Sequence, residues 1–325
     1  MKEYLELVEG SFTNEHYTKQ DYSNYPYVAY SIADNKVIYT IIPNGTMYTV
    51  YVVKQRDISN ISYNSVDLGL PSGLKWADKN IGATTPEEYG SYFAWGDTVG
   101  YKRGVEKVNA ETLAALIQLV LFPDPSADNY VELTGENIGD FLVNVGYEGT
   151  DLTNMGSGFI QGKIYGWSDY FDTNDGGSTF NKYTSDKLTV LESADDAAVV
   201  NMGGDWRMPT KEECEELINN TTVTFIDIND NEFTQDEVYD VPISEYNLKG
   251  IKFTGLNGNS IFIPAASYCS GSMLPDTYYV GYLWSSMLDS SNPSSSYILT
   301  FYGGGILDTS YVDRCFGCSV RGVKY

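Results

Sequence analysis

Residues 251–263 read IKFTGLNGNSIFI, and this stretch decides the fold class of the C-terminal part of the chain. The β-prone runs Ile251–Thr254 and Ser260–Ile263 flank Asn257-Gly258, the strongest short signal for a β-hairpin. Tyr297–Phe301 and Ser319–Val323 follow as further candidate strands, with a glycine- and serine-rich loop region between them. The pattern predicts a sheet-rich C-terminal third.

Helices are predicted at three places. Thr85-Pro86-Glu87-Glu88 and Thr210-Lys211-Glu212-Glu213 each put threonine at a helix N-cap with glutamate three residues later, so that the two side chains can satisfy each other's free backbone amides. The third helix is predicted over Ala110–Leu121, with Asn109 as the cap and Pro123 as the stop.

The N-terminal residues predict a small all-β module. Tyr27–Ile32, Lys36–Ile42 and Thr46–Val53 are candidate strands, separated by turn-forming residues at 33–35 and 43–45. The polar stretch Asp57–Ser65 is typical of a join between domains. We therefore predict one domain over residues 1–62, an attachment or assembly module, and a second over 63–325 with an insertion at about 100–160.

The charge balance argues against nucleic acid and anionic membranes as partners. The 325 residues include 44 acidic and 20 basic side chains, and the net charge of −24 repels phosphate backbones and anionic headgroups alike. The longest apolar run, Leu113–Phe122, is too short to cross a bilayer, so membrane insertion is not expected. The 28 tyrosines are typical of a recognition surface, and equally of a strand-rich protein.

The residues that carry common catalytic chemistry are scarce. His16 is the only histidine, so a Ser-His-Asp or Cys-His arrangement would depend on it, and no nucleophile signature surrounds it. The spacing of Cys315 and Cys318 matches half of a zinc ribbon or a redox pair, but the sequence has no second such pair. We predict no catalytic residue and no cysteine-based metal site.

Two acidic stretches resemble calcium loops in part. Asp172–Gly176 has Tyr183 where an EF-hand needs its bidentate glutamate, and Asp227–Asn231 lacks both the following glycine and the terminal glutamate. Neither is an EF-hand. No cofactor is predicted, and an irregular calcium site stays open because hard oxygen ligands are abundant.

Five ordered sequence blocks carry a family resemblance; the first begins VDLGLPSGLKWA at residue 66 and ends YFAWGD at residue 97. The blocks are Val66–Asp97, Gly203–Thr210, Gly258–Ala266, Trp284–Ser286 and Gly317–Arg321. They closely resemble the Fibrobacter succinogenes major paralogous domain family, which is abundant in gut Bacteroidetes and their phages. The resemblance implies an α+β, C-type-lectin-like fold with two main helices and short antiparallel sheets, related to formylglycine-generating-enzyme-like domains. Cys318 departs from the family, which usually has an aromatic residue before Ser-Val-Arg.

The tryptophans and two arginines of the C-terminal domain are interpreted as scaffold. Each of Trp76, Trp95, Trp206 and Trp284 lies inside a block, and a bulky indole is usually buried. Arg314 and Arg321 are expected to orient the last loop through hydrogen bonds to carbonyls or acids.

The tail also resembles the variable region of a target protein of a diversity-generating retroelement. Mutation of template adenines can convert Asn codons to many residue types but never to Met, Trp, Lys, Gln or Glu, and Asp289–Asp313 contains none of these five. The resemblance implies ligand contact at a set of diversified positions. These are Asp289, Tyr297, Thr300, Tyr302, Gly303, Gly304, Leu307, Asp308, Thr309, Ser310, Tyr311, Val312, Asp313 and Phe316.

The resulting hypothesis is a non-enzymatic receptor- or ligand-binding protein, a phage tail-fibre tip or an adhesin, whose partner is a host-surface protein or glycan. Met1–Glu6 lacks the basic start and apolar run of a secretory signal, which favours the virion over the extracellular bacterial surface. A tail-fibre tip is expected to be a homotrimer.

Two alternatives stay open. One is a calcium-dependent glycan-binding surface lectin of a gut bacterium, although the usual sugar-coordinating EPN and QPD tripeptides are absent from the sequence. The other is an enzyme of the formylglycine-generating type, whose reactive cysteines could only be Cys315 and Cys318.

Overall fold

The fold is taken from a computed structural model. It describes residues 17–22, 25–31, 37–44, 47–55, 58–121, 125–128, 130–138, 182–183, 188–239, 247–269, 280–303, 305–314 and 316–325. The chain divides into two compact units, Met1–Gln55 with Arg103–Gly156 and Arg56–Lys102 with Ser157–Tyr325. In this division, residues 103–156, which are most of the predicted insertion, belong to the same unit as the N-terminal residues.

Short strands dominate the described part of both units. The strands are β1 (Tyr17–Tyr22), β2 (Tyr25–Ser31), β3 (Val37–Asn44), β4 (Met47–Gln55), β5 (Ser65–Asp67), β6 (Lys75–Ala77), β7 (Tyr92–Phe93), β8 (Tyr101–Asn109), β9 (Thr221–Asp227), β10 (Glu232–Phe233), β11 (Leu248–Gly255), β12 (Ser260–Pro264), β13 (Val280–Leu288), β14 (Ser295–Tyr302), β15 (Ile306–Asp313), β16 (Cys318–Ser319) and β17 (Val323–Lys324). The helices are α1 (Ala110–Leu121), α2 (Ala197–Met202), α3 (Lys211–Asn219) and α4 (Gln235–Tyr239).

In the first unit, β1 to β4 pair in sequence order as an antiparallel meander, and β8 neighbours β4. The three predicted N-terminal strands are therefore confirmed. Helix α1 follows β8 directly, and the Asn109 side chain accepts a hydrogen bond from the Thr112 amide at 2.8 Å, as predicted for its cap. The predicted turn at 33–35 and the predicted stop at Pro123 lie outside the described residues.

In the second unit, the predicted hairpin is confirmed. Strands β11 and β12 pair antiparallel from Gly250↔Pro264 to Thr254↔Ser260. The turn between them needs Gly258 because its φ of 83° lies in the left-handed region. Strands β9 and β10 complete a sheet of order β10-β9-β11-β12.

The remaining strands of this unit form two groups. Strands β7, β16, β13, β14 and β15 follow one another in one sheet, and β17, β6 and β5 form another. The strand predicted over Ser319–Val323 is wrong as a continuous element, because β16 pairs with β7 and β13 whereas β17 pairs with β6. The chain changes sheet between them, so residues 320–322 belong to neither strand.

Of the two predicted capping boxes, one is present. Thr210 Oγ1 accepts from the Glu213 amide at 3.3 Å and Glu213 Oε2 accepts from the Thr210 amide at 2.9 Å, which confirms the start of α3. The helix predicted at Thr85–Glu88 is wrong: these residues form a turn, and the Glu88 carboxylate accepts from the Thr84 amide instead. The chain cannot continue helically because Gly90, with a φ of 79°, packs close to Ile81 and leads into β7.

Two hydrophobic clusters lie in the second unit, and burial of each large apolar side chain in them contributes ~1.5–3 kcal/mol. The first contains Leu68, Leu74, Trp76, Cys214, Leu217, Phe225, Ile251, Phe253, Leu283, Leu299 and Phe301. The second contains Ile81, Phe93, Trp95, Tyr183, Ala198, Met208, Trp284, Leu288, Ile298, Cys318 and Val320. All four tryptophans assigned to the scaffold are buried, as predicted.

Two indole hydrogen bonds link β13 to β7 and to the residues that follow β7. Trp284 Nε1 donates to the Phe93 carbonyl at 2.8 Å, and Trp95 Nε1 donates to the Ser285 carbonyl at 2.9 Å. These reciprocal bonds satisfy both buried indoles and tie β13 to the segment around Phe93 and Trp95. The fold is thus α+β and sheet-rich, as predicted, and none of its described helices is long and apolar enough to span a bilayer.

Candidate functional site

The candidate site is the C-terminal hairpin of β14 and β15 together with its support β13. Strand β14 pairs with β13 on one side and with β15 on the other, in both cases antiparallel. All residues of β14 are buried or half-buried, whereas exposed and half-buried residues alternate along most of β15. The hairpin therefore consists of a buried inner strand that holds an exposed outer strand in place.

The helix-facing side of the hairpin is closed by α3. Thr309 Oγ1 donates to Glu215 Oε1 at 3.2 Å, and the Lys211 ammonium lies 4.9 Å from the centre of the Tyr297 ring. Leu307 packs against the first hydrophobic cluster. Three of the predicted contact positions, Tyr297, Leu307 and Thr309, thus serve mainly to dock α3 on the sheet.

The opposite side carries a group of four half-buried aromatic rings, which we call the aromatic group: Tyr268, Tyr282, Tyr302 and Phe316. Tyr268 stacks on Phe316 with centroids 4.9 Å apart and meets Tyr282 edge-on at 5.0 Å. The Tyr282 and Tyr302 hydroxyls lie 3.1 Å apart. Burial raises the pKa of Tyr268 and of Tyr282, so that both hydroxyls stay neutral and can donate or accept a hydrogen bond.

Four side chains of β15 reach solvent. Ile306 is 47% and Tyr311 57% exposed, and Asp308 and Asp313 are exposed carboxylates. Ile306 and Asp308 lie on the side of the aromatic group, because they pair with Tyr302 and Thr300. Ser310 and Val312 share that side and are half-buried. The strand therefore offers side chains on both sides of its outer edge.

Several predicted contact positions are not available to a ligand in this conformation. Asp289 is 3% exposed, and its Oδ1 accepts from the Ser291 amide at 2.9 Å in the turn that precedes β14. Thr300 is 1% exposed beneath its neighbours, and Gly303 is buried. Because Asp289, Thr300 and Gly303 are buried, we remove them from the candidate surface; Gly304 lies outside the described residues.

Sequence reasoning missed three members of the surface. Tyr268, Tyr282 and Ile306 fall outside the predicted set, yet they complete the aromatic group and the exposed edge. The available signal was weak: Tyr282 lies two residues before the Trp284 block, at a spacing that puts both side chains on the same face of a strand.

Arg314 anchors the end of the hairpin as predicted. Its guanidinium donates to the carbonyls of Pro293 at 3.1 Å and Lys182 at 3.3 Å, and it lies 4.9 Å from the centre of the Trp95 ring. Arg321 is fully buried and its Nε donates to Asn80 Oδ1 at 2.9 Å, so its hydrogen bond is to an amide side chain.

Side chains suited to metal binding do not converge in the described ranges, where no group of three or more His, Cys, Asp or Glu residues could hold an ion. In the loop Asp227–Asn231, the Asp227 carboxylate is occupied by hydrogen bonds from Asn229 and Asn231. Cys318 is wholly buried beside β7, and both Cys315 and the other acidic loop, Asp172–Gly176, lie outside the described residues.

Comparisons of the chain with protein-family models, with curated proteins and with solved structures return no match.

Proposed function

We propose that this chain is a non-enzymatic ligand-binding protein whose C-type-lectin-like second unit presents the outer strand β15 to a host-surface protein or glycan. The observation that carries the proposal is the contrast within one hairpin, where a buried strand β14 supports the exposed side chains of Ile306, Asp308, Tyr311 and Asp313. A rigid scaffold with exposed tyrosine and small polar residues is a common solution for recognition.

The distribution of the resembling blocks supports their proposed role as the scaffold of the second unit. Each block contributes side chains to the buried clusters, with Trp76 and Trp95 from the first and Trp284 and Val320 from the last two. The candidate diversified positions fall mostly on β14 and β15, between scaffold blocks. Diversification there would change the exposed surface, and within the two hydrophobic clusters it would touch only the partly buried residues Leu307, Val312 and Phe316 among the described positions.

A location at a phage tail-fibre tip or on an adhesin follows from the resemblance to diversified proteins. The test is the DNA that flanks the gene. We expect an imperfect, asparagine-rich repeat of the codons for about residues 280–320 beside a reverse-transcriptase gene, with differences confined to adenines. A fixed tail without such a repeat would overturn the diversified assignment and leave a surface protein with one fixed ligand.

Binding itself is tested with fluorescently labelled protein on intact cells of gut Bacteroidetes strains. We expect the double variant Asp308→Ala, Tyr311→Ala to lose binding, whereas Leu256→Ser, a matched change at a turn residue that is 92% exposed, keeps it. Equal binding by both variants would refute the assignment of this surface. Protease or periodate treatment of the cells distinguishes a protein from a glycan ligand, and a chelator tests the calcium-dependent alternative.

A further inference from the structure

Strand β15 is the last strand of its sheet in the described part of the chain. It pairs with β14 over its full length, from Ile306↔Tyr302 to Asp313↔Ser295, without a register shift. Its other edge therefore runs straight for eight residues, which is long enough to hydrogen-bond a further extended segment.

The register identifies which backbone groups point away from the sheet. The Arg314 amide donates to the Ser294 carbonyl at 2.9 Å, so the next pair, Asp313↔Ser295, is a pair whose backbone groups point outward. Alternation along an antiparallel ladder then places the amides and carbonyls of Leu307, Thr309, Tyr311 and Asp313 on the free edge.

Two of these outward groups already have partners. Asp308 Oδ1 accepts from the Thr309 amide at 2.7 Å, and the Asp313 carbonyl accepts from the Phe316 amide at 3.0 Å. Leu307 and Tyr311 each keep an outward amide and carbonyl with no partner among the described residues. The edge is thus open at two positions, and the Asp308 carboxylate covers the amide between them.

The charges on this edge determine which kind of strand it can bind. Asp308 and Asp313 are exposed, and neither β14 nor β15 contains a lysine or arginine. A second copy of the chain would bring another net charge of −24 and the same carboxylates to the edge, which opposes self-pairing. A strand that carries lysine or arginine opposite Asp308 would instead attract that carboxylate away from the Thr309 amide.

We infer that the free edge of β15 binds an extended, basic segment of the partner by strand addition, and that Asp308 both covers this edge and selects for positive charge. The inference rests on the proposed ligand-binding function and adds the class of ligand, a peptide segment of a protein. Backbone pairing does not depend on the side chains of β15, whereas the selection for positive charge requires Asp308.

The test uses an acetylated and amidated heptapeptide that alternates lysine with valine, at millimolar concentration, against ¹⁵N-labelled full-length protein. The lysines then face Asp308 and the valines face Tyr311, which lie on opposite sides of β15. We expect the amide resonances of Leu307, Thr309 and Tyr311 to shift. A peptide with glutamate in place of lysine is the matched control and should leave them unchanged.

Two variants separate charge from backbone pairing. Asp308→Asn keeps an acceptor for the Thr309 amide and should weaken binding of the lysine peptide by about two- to fivefold, the effect of one cross-strand charge pair. Tyr311→Pro deletes one outward amide without removing a hydrogen bond to β14, and should abolish the shifts. Leu256→Ser should leave the affinity unchanged.

The inference is overturned if the edge amide resonances do not shift with the lysine peptide, or if the lysine and glutamate peptides bind equally. Both results come from the wild-type protein, so neither depends on the folding of a variant. If cell binding depends on Asp308 and Tyr311 but the peptides have no effect, strand addition is rejected and the proposed ligand-binding function stands. Peptide binding without cell binding would instead reject the proposed function.

Discussion

Asp97 is a buried carboxyl group, four residues after Phe93 of β7, whose ionisation should make the stability of the fold depend on pH. The residue is 6% exposed; Oδ1 accepts from the Val99 amide at 2.9 Å, and Oδ2 has no partner in the described ranges. Burial, opposed in part by the amides of Val99 and Thr98, raises the pKa of this carboxyl from its usual 3.8 to about 7. At ~1.4 kcal/mol per tenfold change in acidity, ionised Asp97 destabilises the fold by about 4 kcal/mol above pH 7.

The direction of this pH dependence follows from which state binds the Asp97 proton. Between pH 4 and pH 7 the folded state holds the Asp97 proton and the unfolded state releases it, so the free energy of unfolding falls as pH rises through this range. Asp97→Asn removes this dependence, at a cost of ~1–3 kcal/mol for its unpaired amide. Relative to the wild type, the variant should therefore gain about 2–3 kcal/mol in the free energy of unfolding between pH 5 and pH 8.

Urea unfolding followed by tryptophan fluorescence at pH 5, 6, 7 and 8 measures this gain, since Trp95 lies two residues away. Asp205→Asn, a change at an exposed carboxylate, serves as the control and should track the wild type. A difference between Asp97→Asn and wild type that stays constant with pH would refute the assignment of a buried, titrating Asp97.

The remaining predictions concern stability. Thr210→Ala removes one half of the capping box of α3 and should lower the free energy of unfolding by ~1 kcal/mol in urea titrations, whereas Ser290→Ala at an exposed turn should change it by less than ~0.5 kcal/mol. Gly255→Ala would put a Cβ 1.9 Å from the Leu68 carbonyl oxygen, so a loss of ~1–3 kcal/mol or more is expected. A thermal midpoint equal to that of the wild type would show that the backbone at Gly255 can move aside.

Local patterns predicted the elements whose signals are complete within a few residues. The Asn257-Gly258 hairpin formed because glycine permits the left-handed turn and both flanking runs suit strands. The box at Thr210 formed a helix because an amphipathic run follows it, whereas the identical signal at Thr85 is followed by Gly90 and a strand. A cap starts a helix only where the residues after it can continue one.

The members of the candidate site could be identified only from the tertiary structure. The sequence by itself determined that the tail is rich in tyrosine and small polar residues, and it predicted that the tryptophans are buried in the scaffold. Only the tertiary structure decided that Thr300 and Asp289 are buried, that Tyr268 joins Tyr282 and Phe316, and that β15 is the last strand of its sheet among the described residues. The reason is physical: side-chain alternation is a local property of a strand, but which side is covered, and which edge is open, depends on elements far away in sequence.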